Sequence, residues 1–328
     1  MFAYNSAIGK LAKRHFVQMA WFVLLLFSAV LHAQTPKPVV TLNVDQIISR
    51  ASDEKRKYLE EFRNLLAKET KTFRLFDHDK VKKERKIVSN FLVYDLSKNK
   101  NEVTEFRNVL SVDGRPVAEV EKRAVDLFER IAKAETTQKE LERIQKESLR
   151  YDEEIQIVGL TLFQGISMDE RVRNSFLFEL AGKDRIGDSE VYVINYRQTW
   201  PSPLIRITDK AAAAPAVLDY DFDLDGLTNV NERLSGTFWI DANTFQLVRE
   251  KRELSIKPDD FDAPLTVTAN EFEYASSSFG IRTPKRLTHT QFRIDKRNRR
   301  SIREIEFVFE YSEFTRPDVE VKSDKAAG

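Results

Sequence analysis

Between Val44 and Leu66 apolar residues recur at helical spacing: Val44, Ile47, Ile48, Ala51, Tyr58, Leu59, Phe62, Leu65 and Leu66. Asp53, Glu54, Lys55, Arg56, Glu60 and Glu61 fill the gaps. A stripe three to four residues apart buries one face of a helix and leaves the other in water, so the spacing predicts an amphipathic helix over Val44–Leu66. Asn43, with Gln46 three residues on, resembles a capping box. The period then changes to two. Thr72–Phe76, Arg85–Leu96 and Val103–Val112 read as strands, the last closing at Asp113-Gly114, a pair suited to a tight hairpin.

Helical spacing returns at Val120, Ala124, Leu127, Phe128 and Ile131, and a further helical stretch starts at Thr137, with Glu140 as a capping box, and runs to Arg150. Glu and Lys alternate along it, which marks a solvated face rather than a nucleic-acid surface. Beyond it the chain reads as strand: Ile155–Phe163, Ser175–Ala181, Glu190–Gln198, Leu204–Thr208, Gly236–Ile240, Phe245–Ile256, Leu265–Ala275, Arg286–Ile294 and Ile302–Phe314. Short connections such as Ala242-Asn243-Thr244 predict antiparallel neighbours. Ile305, Phe307, Phe309 and Tyr311 share one side of the last strand, and Phe272 with Tyr274, Phe292 with Ile294, and Phe176 with Phe178 and Leu180 repeat the pattern. The predicted fold is α+β: a large curved antiparallel β-sheet, half-barrel-like, around the N-terminal amphipathic helix, with a charged helical insertion at about 118–150. Phe178, Phe292, Phe307 and Phe309 are the candidate ligand-binding residues of its concave, aromatic-lined face.

The start of the chain changes the setting. Lys10, Lys13 and Arg14 precede an apolar run from Val17 to Leu31, and Ala33 offers a small residue for cleavage. The run is shorter than the roughly 20 residues of a spanning helix. It reads as a secretory signal, residues 1–33, with an uncut membrane anchor as the alternative. A linker at 34–42, one domain at 43–318 and a tail at 319–328 complete the expected organisation. The protein is therefore expected in the periplasm or secreted. With no cysteine, thiol catalysis, disulfides and Cys-ligated zinc are excluded. Lys and Arg total 53 against 52 Asp and Glu, a formal charge of +1, so no global field draws the chain to nucleic acid or an anionic membrane.

Glu84–Tyr94 (ERKIVSNFLVY), Phe106–Val117 (FRNVLSVDGRPV), Glu147–Tyr151 (ESLRY), Gly236–Arg249 (GTFWIDANTFQLVR) and Phe307–Phe314 (FVFEYSEF) together resemble a family of secreted bacterial proteins of unassigned function. The order of helix, long strands and the G-x-F-W-I-D hairpin is similar to the half-barrel of periplasmic lipoprotein carriers (LolA-like). That resemblance implies an apolar cavity for acyl chains between a concave sheet and its covering helices. Glu119–Arg150 is then an insertion, placed to fill the cavity.

Chemistry is sparse. His78 and His289 are the only histidines beyond the leader region, and no G-x-S-x-G, Walker-type loop or G-x-G-x-x-G occurs. His78, in Asp77-His78-Asp79, reads as a turn. Trp200 and Trp239 read as core or rim aromatics. Asp221, Asp223, Asp225, Leu227, Asn229 and Glu232 fit the D-x-D-x-D-G-x5-E pattern, in which alternating carboxylates, a backbone carbonyl and a closing Glu surround Ca²⁺. The alternative is an Asp-rich loop or an edge strand. Three functions stay open: a non-enzymatic envelope protein that carries a lipid or lipoprotein acyl chain, a filled-core module, with or without stabilising calcium, that docks an envelope protein partner, and an enzyme using carboxylates alone. A connected apolar cavity of several hundred Å³ separates the first from the second.

Overall fold

The computed structural model describes residues 42–78, 80–95, 103–152, 157, 159–200, 205–207, 218–220, 231–259 and 261–316. The chain divides into two compact units, Met1–Asn43 and Val44–Gly328, and every element below belongs to the second. The expected signal at 1–33, nearly all of the linker and the tail lie outside the described residues.

Helix α1 spans Val44–Phe62 and buries Ile47, Ile48, Ala51, Tyr58 and Phe62, the stripe read from the sequence. It stops earlier than predicted, because Leu66 already opens strand β1 (Leu66–Asp77). Strands β2 (Lys80–Asp95) and β3 (Val103–Val112) follow. Asp113 and Gly114 then turn with φ of 49° and 76° into the short β4 (Arg115–Pro116), the left-handed pair that a two-residue hairpin requires. Helices α2 (Val120–Ala132) and α3 (Thr137–Ser148) form a hairpin. Its second helix is capped by Thr136 rather than Thr137: the Thr136 hydroxyl accepts from the Lys139 N–H at 3.2 Å.

The chain returns as β5 (Phe176–Ile186), β6 (Ser189–Gln198), β7 (Ile205–Ile207), β8 (Leu218–Tyr220) and β9 (Asn231–Asp241). It ends in β10 (Leu247–Lys257), β11 (Leu265–Ser276), β12 (Arg282–Asp295) and β13 (Arg300–Thr315). Eleven strands make one open sheet in the order β4-β3-β2-β1-β13-β12-β11-β10-β9-β6-β5. All its pairings are antiparallel, as expected. The predicted strand at Leu204–Thr208 stands apart, with β7 pairing β8 in parallel.

The sheet curls around α1. Phe62 meets Phe91 of β2 at 6.1 Å, Tyr58 meets Tyr274 of β11 at 6.2 Å, and the helix also touches β5 at the far edge. Strands β2 and β5 lie eight places apart, about 38 Å in a flat sheet at ~4.8 Å per strand. A helix of 19 residues is only about 28 Å long. One helix reaches both because the sheet bends.

The α2–α3 hairpin does not fill this concavity, contrary to the expected role of the insertion. Phe106, Leu127, Ile131 and Ile144 form its core, with Leu92, Tyr94 and Leu141 against them. Leu92 pairs with Phe106, whereas Phe91 pairs with Arg107. Directly paired residues share a face and neighbours along a strand alternate, so the hairpin covers the face opposite Phe91. The face carrying Phe91 is called inner below, the other outer.

Candidate functional site

Cross-strand register assigns the candidate aromatics to faces. Phe178 pairs with Tyr196, Tyr196 with Gly236, and Gly236 with Arg252. Arg252 pairs with Asn270, Asn270 with His289, and His289 with Phe307. Phe178 and Phe307 thus share one face, with Phe309 two residues further, stacked on Phe307 at 6.2 Å. Arg107 lies over both Phe91 and Phe309, which identifies this as the inner face. Phe307 and Phe309 are buried there and Phe178 is half-buried on the edge strand.

Phe292 departs from the expectation. It lies three residues past His289 on a strand without an insertion, so it points to the outer face with Thr290. Its partner Arg303 sits over the Phe76 ring at 4.0 Å on that side. The physical reason is a slip in phase. Leu287 and His289 take the inner positions, and the apolar pattern resumes at Phe292 one step out of register. Strand β13 accommodates this with a bulge at Glu304, between the pairs Gln291–Ile305 and Phe292–Arg303.

The inner face is not an apolar bowl. Ionised side chains cross it, all buried. Arg107 holds Glu69 through two bonds, 2.7 and 2.9 Å, and Glu105 at 2.9 Å. Lys71 pairs with Asp152. Glu250 accepts from the Tyr196 hydroxyl at 2.9 Å and lies 3.8 Å from Arg252. Burial opposes charge on Arg107, but Glu69 and Glu105 outweigh it and raise the guanidinium well above its usual range. Burial likewise pushes the Glu105 carboxyl up, yet Arg107 and the Thr161 donors bring it below its ordinary value. Lys71 is lowered by burial despite Asp152.

These charges hold a chain segment. Residues 159–175, expected to begin in a strand over Ile155–Phe163, instead run across the inner face as short 3₁₀ turns, including Leu160–Leu162 and Ile166–Met168. Outside any ladder their backbone groups need other partners, and the sheet supplies them. Glu105 accepts from the Thr161 N–H at 2.9 Å, Arg252 donates to the Phe163 carbonyl at 2.9 Å, and Glu250 accepts from the Gly165 N–H at 2.8 Å. Helix α1 adds the Tyr58 hydroxyl on the Thr161 carbonyl and the Ser52 hydroxyl on the Met168 carbonyl, each at 3.2 Å. A cavity of only about 20 Å³ remains between α1 and this crossover, lined by Tyr58, Gly165 and Met168 among others.

A larger space lies at the end of the sheet where β12 turns into β13. This open cavity of about 410 Å³ is lined by His78, Thr290, Phe292, Arg300, Ser301, Ile302 and Arg303. Phe292 and Ile302 are the apolar members of this lining, and Arg300, Arg303 and His78 the basic ones. His78 sits in the expected turn, with φ of 48°. Trp200 is 70% exposed, at the rim rather than in a core. Trp239 carries the Arg249 guanidinium 5.2 Å from its ring.

The inner-face ions escaped the sequence reading, which gave polar residues to solvent. A signal was present in their phase. Glu250 and Arg252 keep step with Leu254 and Ile256, and Glu69 and Lys71 with Phe73 and Leu75. A charge in the apolar phase of a strand is a buried charge. Of the proposed calcium ligands, Asp221, Asp223, Asp225, Leu227 and Asn229 lie outside the described residues, and Glu232 is placed only as a backbone position in β9.

No protein-family model matches the chain, and no curated protein matches it. Among solved structures it is similar to a DUF1329 family protein from Desulfovibrio piger ATCC 29098, at 9% identity over 86% of this chain and 95% of that one, with a TM-score of 0.32. A LolA superfamily protein from Nitrosomonas europaea shares 10% identity over 85% of this chain and 96% of its own, with a TM-score of 0.29. A domain described as an outer membrane lipoprotein-sorting protein, from Vibrio parahaemolyticus, shares 8% over 84% and 96%, with a TM-score of 0.31. The LolA-like resemblance read from the strand order reappears in these neighbours. The likeness is distant.

Proposed function

We propose that this chain is a non-enzymatic binding protein of the cell envelope whose ligand is an acyl-bearing amphiphile of the lipid or lipoprotein type. The observation that carries this reading is the cavity of about 410 Å³, whose lining includes apolar Phe292 and Ile302 together with Arg300, Arg303 and His78. Its volume falls among small-molecule sites, and a lining that mixes apolar residues with cations suits a chain that ends in an anionic group. The buried ions of the inner face are engaged in holding the crossover, which supports binding over catalysis. Native mass spectrometry of protein purified from its own host tests the proposal: an added mass of lipid size is expected, and Phe292→Asp should abolish it while circular dichroism stays unchanged. Folded wild type that carries no lipid and takes up no fluorescent fatty acid would overturn it.

The small cavity left between α1 and the crossover favours a second reading, a module that docks another envelope protein. A stable complex recovered with lipid-free protein would select it.

A further inference from the structure

The near-neutral total conceals a local excess of charge. Segments Asp77–Lys86 and Arg293–Arg303 contain eleven lysines and arginines against four aspartates and glutamates, so the remainder of the chain is net negative. Register brings the two segments to the same end of the sheet. Leu75 pairs with Ile305, which sets the turn after β1 beside the turn between β12 and β13, and His78 lines the same cavity as Arg300 and Arg303. Lys80, Lys82, Lys83, Arg293, Lys296, Arg297, Arg299 and Arg300 are exposed there.

Four carboxylates at this end, among the described residues, are already engaged. Glu84 accepts from Arg74 at 2.7 Å, and Asp295 from the Asn298 side chain at 2.7 Å with Arg300 at 3.7 Å. Asp77 meets His78 at 2.7 Å, and Asp262 of the neighbouring turn meets Arg299 at 3.2 Å. Val81 is 51% exposed among these cations. Two adjacent basic hairpins, one of them carrying an exposed apolar residue, match a surface that is anionic outside and apolar beneath.

We propose that this end of the sheet docks on a bilayer containing anionic phospholipid, with Lys80, Lys82, Lys83, Lys296 and Arg297 facing the phosphates and Val81 at the headgroup boundary. Each basic residue near such a surface contributes on the order of 1 kcal/mol, within a Debye length of about 10 Å, so cations gathered on one end outweigh the balanced total. The inference depends on the charge arrangement and stands apart from whether the cavity holds a ligand.

Vesicle co-sedimentation of the full chain tests it, with phosphatidylcholine alone and phosphatidylcholine mixed with phosphatidylglycerol. The triple variant Lys80→Ser, Lys82→Ser, Arg297→Ser should lose about tenfold or more of its partition to the mixed vesicles. A control triple, Lys57→Ser, Lys122→Ser, Lys139→Ser, changes net charge equally at exposed sites elsewhere and should bind as wild type does. Melting temperatures of both should match the wild type, and wild-type binding should fall as salt rises. Equal partition of the hairpin triple and wild type, or equal losses in the two triples, would overturn the proposal. So would tighter retention of a single-stranded DNA oligonucleotide than of mixed vesicles at one salt concentration. Because Phe292, Arg300 and Arg303 are untouched, lipid retention by the hairpin triple reads the cavity separately.

Discussion

Lysine and arginine do opposite work in two regions of this molecule. On the inner face Lys71, Arg107 and Arg252 are buried, each beside a carboxylate, and Arg252 with Glu105 and Glu250 holds an irregular crossover in place. At the β12–β13 end Lys82 and Arg297 stand in water, outnumbering the carboxylates near them. A buried ion tolerates no change in its partner, because the partner's desolvation then goes uncompensated; an exposed ion is nearly indifferent to one. The inner face therefore reports on folding and the sheet end on recognition.

The largest effect should come from Arg107→Met, which strands Glu69 and Glu105 in the interior. A loss of about 3–5 kcal/mol is expected in urea unfolding. A loss under about 1 kcal/mol would mean that the network does not hold the crossover. Next is Gly236→Ala. A Cβ there would lie 2.0 Å from the Lys251 carbonyl oxygen and 2.6 Å from the Tyr196 ring, which stacks on Phe238 at 4.4 Å and reaches Glu250. The cost should be about 1–3 kcal/mol or more, read by the same unfolding measurement.

A smaller effect is pH-dependent. Burial, aided by Arg252, lowers His289 to about 4 from its ordinary 6.5, and the ring hydrogen-bonds Asn270 at 2.8 Å. Between these values the unfolded chain binds the proton and the folded chain does not. Stability is thus complete above about pH 6.5 and is lost as pH falls towards about 4. His289→Gln should flatten that part of the stability profile measured by urea midpoints; an unchanged slope would remove His289 from the account. Smallest of all, Lys82→Ser or Arg297→Ser should move stability by no more than about 0.5 kcal/mol while weakening vesicle binding. A large destabilisation would erase the distinction between the two regions.

Helix α1, the Asp113-Gly114 turn and the antiparallel strands were all legible in the sequence, since each follows from local period or turn chemistry. Phe307 and Phe309 were legible as buried aromatics for the same reason. Phe292 was not, because alternation fixes a side only relative to its own strand, and the phase slip after His289 is visible only once the neighbours are paired. Only the start of the crossover, 159–163, reads as strand in the sequence, because Leu160 and Leu162 are apolar whether they join a ladder or lie across one.

By itself the sequence determined the kinds of element present, the stripe that α1 buries and the near-balance of charge, because these depend on neighbours a few residues apart. Tertiary structure decided which face each aromatic took, that the α2–α3 hairpin covers the outer face, and that Arg107 meets Glu69 from 38 residues away. It also gathered the cations of two distant hairpins at one end of the sheet. These are properties of strand order and register, and pairing energy between residues far apart in the chain leaves no periodic trace along it.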